Sequence, residues 1–127
     1  MSRIKTMIAA VAFIGTGGLQ VSADDSIAFD FAGCAGRFSA EMEHAWLMND
    51  PDARHHEEDR ATFVTLTEAS FAQQQGRAIL SHRIEVKLAH SSLLQQATFD
   101  TRPRRADAAR RMATQHLSAC RTMLLGS

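Results

Sequence analysis

Apolar side chains recur at steps of three and four residues along most of the chain, which is the spacing of amphipathic helices. The strongest run predicts a first helix that ends near Met48. Asn49-Asp50-Pro51 then closes this helix and opens the next, because aspartate can cap a helix and proline suits the first helical position. The apolar face of the first helix comprises Phe31, Cys34, Ala35, Phe38, Met42, Ala45 and Trp46.

A second helix is predicted over residues 51–73, with the best break at Gln74-Gln75-Gly76. Residues 77–98 are predicted to form the third helix, although 83–88 alternate as a strand would. An isolated strand would have no evident partner elsewhere in the chain. One long helix running through Gly76 stays open as an alternative, because a single glycine costs a helix only about 1 kcal/mol.

The fourth helix should begin around Pro103 and continue to Gly126. Arginines 102, 104 and 105 oppose the positive end of its dipole, so its first turn is expected to fray. The composition favours an all-α domain, since tyrosine is absent, only two prolines occur and strong helix formers dominate. The predicted core stripe of this helix comprises Ala106, Ala109, Ala113, His116, Cys120 and Met123.

Residues 1–23 are predicted to be a cleaved signal peptide rather than part of the fold. Arg3 and Lys5 supply a basic start and residues 7–14 an apolar run, before small residues at Val21-Ser22-Ala23. Cleavage would leave one exported helical domain, residues 24–127, periplasmic or secreted. No other apolar run approaches the ~20 residues that a membrane-spanning helix needs.

The two cysteines of that domain, Cys34 and Cys120, are predicted to form a disulfide, because an exported protein meets an oxidising compartment. In an up-down bundle, the start of the first helix meets the end of the last only if the helix count is even. The pairing therefore favours an antiparallel four-helix up-down bundle. A lipoprotein anchored at Cys34 is the alternative, but acidic residues interrupt the apolar stretch that its signal would need.

Charge divides the domain into two unlike halves. Residues 24–68 contain 11 acidic and 3 basic side chains, whereas residues 69–127 contain 3 acidic and 9 basic ones. The halves are expected to pack on each other, and a charged docking face is the alternative. Nucleic acid is not an expected partner, because the domain as a whole is not basic and is exported.

A candidate metal site lies where the first helix ends and the second begins. His44 and Met48 are four residues apart and share a helix face, and His55 and His56 follow the turn. Imidazole with thioether suits copper, so these four residues are the possible ligands in a domain with no other expected cofactor. The alternative is a half-buried His44 paired with a neighbour, beside solvated His55 and His56. Glu41-x-x-His44 also occurs in di-iron bundles, but the chain has no second copy of that motif.

Catalysis has little support, because the sequence lacks Gly-x-Ser-x-Gly and Cys-x-x-Cys-His motifs and neither cysteine should be free. A partner surface is a better candidate, formed by Trp46 with Arg104 and Arg105. Trp46-Leu47-Met48 would mark such a surface if all three were exposed. Periodicity instead favours burial of Trp46 beside Met42, with Leu47 more peripheral.

Three segments of the chain, residues 34–47, 83–90 and 120–125, resemble small exported proteins of uncharacterised function from alphaproteobacteria. The resemblance implies a helical exported domain and no activity, so it assigns no functional residues. The expected role is a non-enzymatic protein that binds another envelope protein or a small ligand. A copper-type metal binder is the competing hypothesis.

Overall fold

The computed structural model describes residues 23–71 and 73–126, which form four α-helices. No strand occurs among these residues, so the prediction of an all-α fold is confirmed for this part of the chain. The predicted signal peptide lies outside the described residues apart from Ala23. The helices are α1, Ala23–Leu47; α2, Ala53–Ser70; α3, Gly76–Phe99; and α4, Pro103–Leu125.

α2 and α3 are two helices, so the alternative of one long middle helix is wrong. Phe71 has an extended backbone (φ −120°, ψ 152°) and ends α2, and a short 3-10 turn, Gln73–Gln75, precedes α3. The strand-like residues 83–88 lie within α3, as predicted from the helical composition of their flanks. α2 is shorter than predicted at both ends, since it begins at Ala53 and stops at Ser70.

α1 is the central helix, because it packs against each of the other three. From Ala32 to Met42 it is buried on nearly every side, which is the pattern of a helix inside a core rather than on its surface. Its closest neighbour is α3. A Cβ added to Gly36 would collide with the carbonyl oxygen of Arg83 and lie 3.1 Å from the backbone nitrogen of Lys87. Glycine at this position therefore allows the two backbones to touch.

The largest part of the core lies between α1, α2 and α4. The rings of Phe38 and Phe63 stack with their centroids 5.7 Å apart, and Leu117 and Cys120 close the cluster from α4. The guanidinium of Arg121 lies 5.4 Å from the centre of the Phe38 ring and covers this cluster at the surface. Burial of these aromatic and aliphatic side chains is the main contribution of specific side chains to stability at this junction.

Cys34 and Cys120 form the predicted disulfide, with an S–S distance of 2.06 Å and a Cα–Cα distance of 5.7 Å. The bond ties α1 to α4 over a sequence separation of 86 residues. Neither of these cysteines is free. Among the described residues, no helix combines the length and apolar character needed to cross a membrane.

Ion pairs join the acidic and basic parts of the chain, as the charge pattern predicted. Lys87 on α3 pairs with Glu43 on α1, and Arg121 on α4 lies 3.4 Å from Asp59 on α2. Both contacts are at the surface, where an ion pair contributes little to stability. These ion pairs therefore affect the orientation of the helices more than their stability.

The buried face of α4 is narrow and rich in alanine. Its start carries the three arginines that were expected to weaken the first turn. Asp100 compensates for them, because its carboxylate accepts hydrogen bonds from the Arg102 backbone (2.9 Å) and side chain (3.0 Å), with Arg105 3.6 Å away. The buried residues of α4 are Ala106, Ala109, Ala113, Leu117 and Cys120.

Candidate functional site

The predicted metal ligands have different neighbours. His44 Nε2 lies 3.0 Å from the hydroxyl of Thr98 on α3. Met48 is exposed, and the exposed His55 ring faces Glu58 of its own helix at 3.9 Å. Within residues 23–71 and 73–126, no cluster of three or more His, Cys, Asp or Glu side chains suits a metal ion. A copper site at His44, Met48, His55 and His56 therefore stays a prediction from the sequence.

His56 belongs instead to a buried polar cluster centred on Glu41. One carboxylate oxygen of Glu41 lies 2.8 Å from His90 Nε2, and the other lies 3.9 Å from His56 Nε2. The His90 side chain is almost fully enclosed, and the Nδ1 atoms of both histidines are buried without a hydrogen-bond partner. The cluster joins α1, α2 and α3 through a carboxylate placed between two imidazoles.

Glu41 and His90 are 49 residues apart, so no local pattern reveals this pairing. A signal is present, since Glu41 stands between the apolar residues Ala40 and Met42. A carboxylate in such surroundings needs polar partners, because burying an unpaired charge is very costly. The sequence could show that a partner was required, but not which histidine supplied it.

His116 extends the polar cluster toward α4. Its ring centroid lies 6.3 Å from that of His90. Burial, the positive charge of Arg37 and then His90 lower the pKa of His116 below its usual value. Neutral imidazole is therefore favoured here. His116 was expected on the core stripe of α4, but it is only half-buried, and Leu117 is the buried residue at this turn.

The end of α1 is the most exposed apolar part of the central helix. Trp46, Leu47 and Met48 are 57%, 72% and 47% exposed, so the prediction that Trp46 packs into the core is wrong. Met42, its expected partner, is buried as predicted, with 6% exposed. The chain turns directly after this exposed end at Asn49, whose positive φ of 54° is tolerated by asparagine.

Arg104 and Arg105, the other residues of the predicted partner surface, are at the start of α4. The contact between His44 and Thr98 brings the end of α1 to the end of α3, where the chain turns into α4. Phe99, at that point, is 59% exposed. One end of the molecule thus carries an exposed set that we call the terminal surface: Trp46, Leu47, Met48, Phe99, Arg104 and Arg105.

Comparison of the chain with models of known protein families, with curated proteins and with solved structures found no match. No activity, ligand or partner is therefore transferred from another protein.

Proposed function

We propose that the protein is exported, that cleavage leaves residues 24–127, and that these fold as an antiparallel up-down bundle. The contacts support the arrangement, since Phe29 meets His82 while Glu41 meets His90, an order in which α1 and α3 run the same way. The disulfide supports export, because such bonds persist in oxidising compartments.

We further propose that the protein is a non-enzymatic interaction protein of the periplasm, which binds another envelope protein through the terminal surface. The observation that carries this proposal is the exposure of Trp46, Leu47 and Met48, which are consecutive in sequence, at the end of a helix that is enclosed from Ala32 to Met42. Exposed apolar residues that are grouped and rimmed by charge are typical of interaction sites. Single exposed apolar residues elsewhere on the surface have no such meaning.

The residue types at the terminal surface indicate what the partner offers. Tryptophan and arginine are the residues most often found at interaction hot spots, where the aromatic ring fills an apolar pocket. Arg104 adds positive charge at the rim, and Arg105, which is 3.6 Å from Asp100, adds less. This charge favours an acidic partner and accelerates association. The expected partner is therefore a protein with an apolar pocket bordered by aspartate or glutamate.

The test compares Trp46→Ser with Leu125→Ser, a matched change at a leucine that is 88% exposed at the end of α4. Affinity capture from a periplasmic extract, followed by titration of the captured protein, should give the same partner for the unchanged chain and for Leu125→Ser. Trp46→Ser should weaken binding at least tenfold, because loss of a hot spot has effects of this size. Circular dichroism should show that both variants are folded.

Arg104→Glu should also weaken binding, with a larger effect at low salt than at high salt. Equal binding by the unchanged chain and Trp46→Ser would contradict the proposal. An equal loss of binding in Trp46→Ser and Leu125→Ser would also contradict it.

A further inference from the structure

A groove runs between α2 and α3 on the surface of α1. It consists of two adjoining cavities of about 370 and 140 Å³, which share Leu80 and Arg83 in their walls. The larger cavity alone falls within the ~300–1,000 Å³ that small-molecule sites usually occupy. Ser39 and Met42 of α1 form its floor.

Positive charge is concentrated at the larger cavity, which is lined by Arg60, Arg83 and Lys87. Lys87 is paired with Glu43, but Arg60 Nε is buried and has no hydrogen-bond partner. Burial and the neighbouring charge of Arg60 lower the pKa of Arg83, against a smaller opposing effect of Glu68. Two guanidinium groups thus face one partly buried space in which their charges are incompletely compensated.

The rest of the groove is mainly apolar, although Thr67 and Glu68 also line the smaller cavity. Leu80 and Ile84 are about half exposed on its α3 wall. The smaller cavity continues past Leu80 between Val64, Phe71 and the buried Ile79. A ligand in the groove would therefore meet positive charge at one end and hydrocarbon along its length.

We propose that this groove binds an aliphatic carboxylate of medium chain length, with its head group between Arg60 and Arg83 and its chain along Leu80. Guanidinium is suited to this head group, because its planar set of donors matches the two oxygens of a carboxylate. The ligand would supply the missing acceptor for Arg60 Nε and cover Leu80 and Ile84. This site is separate from the terminal surface and does not depend on the proposed envelope partner.

Isothermal titration of the purified protein with decanoate tests the proposal. Decanol has the chain without the charge, and acetate has the charge without the chain. Decanoate should bind at least tenfold more tightly than either, because charge-assisted hydrogen bonds and apolar burial both contribute. Absence of decanoate binding, or equal binding of decanoate and decanol, would overturn the proposal. If acetate bound as tightly as decanoate, the assignment of the apolar part of the groove to the aliphatic chain would be overturned.

Arginine variants locate the site. Arg83→Met and Arg60→Met keep an unbranched side chain and remove the charge, and Arg111→Met is the matched control on exposed α4. Each groove variant should weaken decanoate binding about tenfold, while the control leaves it unchanged. Circular dichroism checks that each variant is folded, and two groove variants are used so that one unfolded protein does not decide the result. Unchanged binding in a folded groove variant would overturn the assignment.

Discussion

α1 and α4 are joined by a disulfide, but they bury very different parts of their surfaces. α1 is enclosed on nearly every side between Ala32 and Met42, whereas α4 buries one narrow stripe. Both helices use small residues at their contacts, for different results. On α1 these residues let neighbouring backbones approach on several sides. On α4 the buried alanines lie along one side of the helix.

The difference shows that small residues have no fixed meaning for stability. At Gly36 the absent side chain is required by the backbone of α3. Along the buried side of α4 each alanine contributes only a methyl group, so little apolar area holds the helix in place. α4 therefore depends more than α1 on the disulfide, whereas the surface ion pair of Arg121 with Asp59 adds little.

Removal of the disulfide should have the largest effect on stability. Replacing both Cys34 and Cys120 by alanine should lower the free energy of unfolding by about 4 kcal/mol, because the cross-link restricts a long loop of the unfolded chain. Urea unfolding followed by circular dichroism measures the loss. Dithiothreitol should destabilise the unchanged protein to a similar degree and leave the double variant unaffected. An unchanged midpoint in the double variant would show that α4 is held without the disulfide.

A second test separates the two helices at glycines. Gly36→Ala should lower the free energy of unfolding by about 3 kcal/mol, since the new methyl group collides with the α3 backbone. Gly126→Ala, at the end of α4, should change it by less than about 0.5 kcal/mol, because the nearest atom to its added Cβ is 3.8 Å away. Thermal and urea unfolding of both variants measure the contrast. Equal stability of the two would mean that α1 and α3 can separate at little cost.

The smallest effect is expected from protonation of His116, where α4 meets the polar cluster. Its pKa is lowered in the folded protein, so the unfolded chain binds a proton more readily. Stability is therefore full above the ordinary histidine pKa of about 6.5 and decreases as pH falls through the folded pKa. Asp30, Arg37, His82 and His90 face the same region, and of these Arg37 and His90 oppose the proton.

Urea unfolding between pH 7.5 and 5 tests this expectation for the unchanged protein and for His116→Gln. The variant should lose less stability over this interval, because glutamine does not take up the proton. Parallel pH profiles would show that His116 does not contribute to the pH dependence.

Helix positions could be predicted well because they depend on local patterns. The fourth helix was placed at 103–126 and is observed at Pro103–Leu125. The prediction failed at Trp46, because periodicity identifies the face of a helix but not whether a neighbour extends far enough to cover it. Periodicity predicts burial poorly for α1, because a helix that packs on several sides has no single apolar face.

Site residues were predicted less well than helices. The predicted pairing of Cys34 with Cys120 is confirmed, since two cysteines allow only one intrachain bond. Glu41 and His44 have the spacing of a di-iron motif that the chain does not complete, and the observed partners of Glu41 are His90 and, at a longer distance, His56 on other helices. The groove at Arg60 and Arg83 was not foreseen, because nothing in the local sequence of either residue indicates that α2 and α3 leave a space between them.

By itself, the sequence determined the helical class, the approximate helix ends and the cysteine pair, because these follow from local propensity and a small number of possible partners. Only the tertiary structure decided which helix is central, which histidines meet Glu41 and which surfaces remain open. These features depend on how far the backbones approach and where neighbouring helices stop. At Gly36 the backbones of α1 and α3 approach closely enough to form a buried crossing. At Trp46 the neighbouring helices stop short, and the side chain remains exposed.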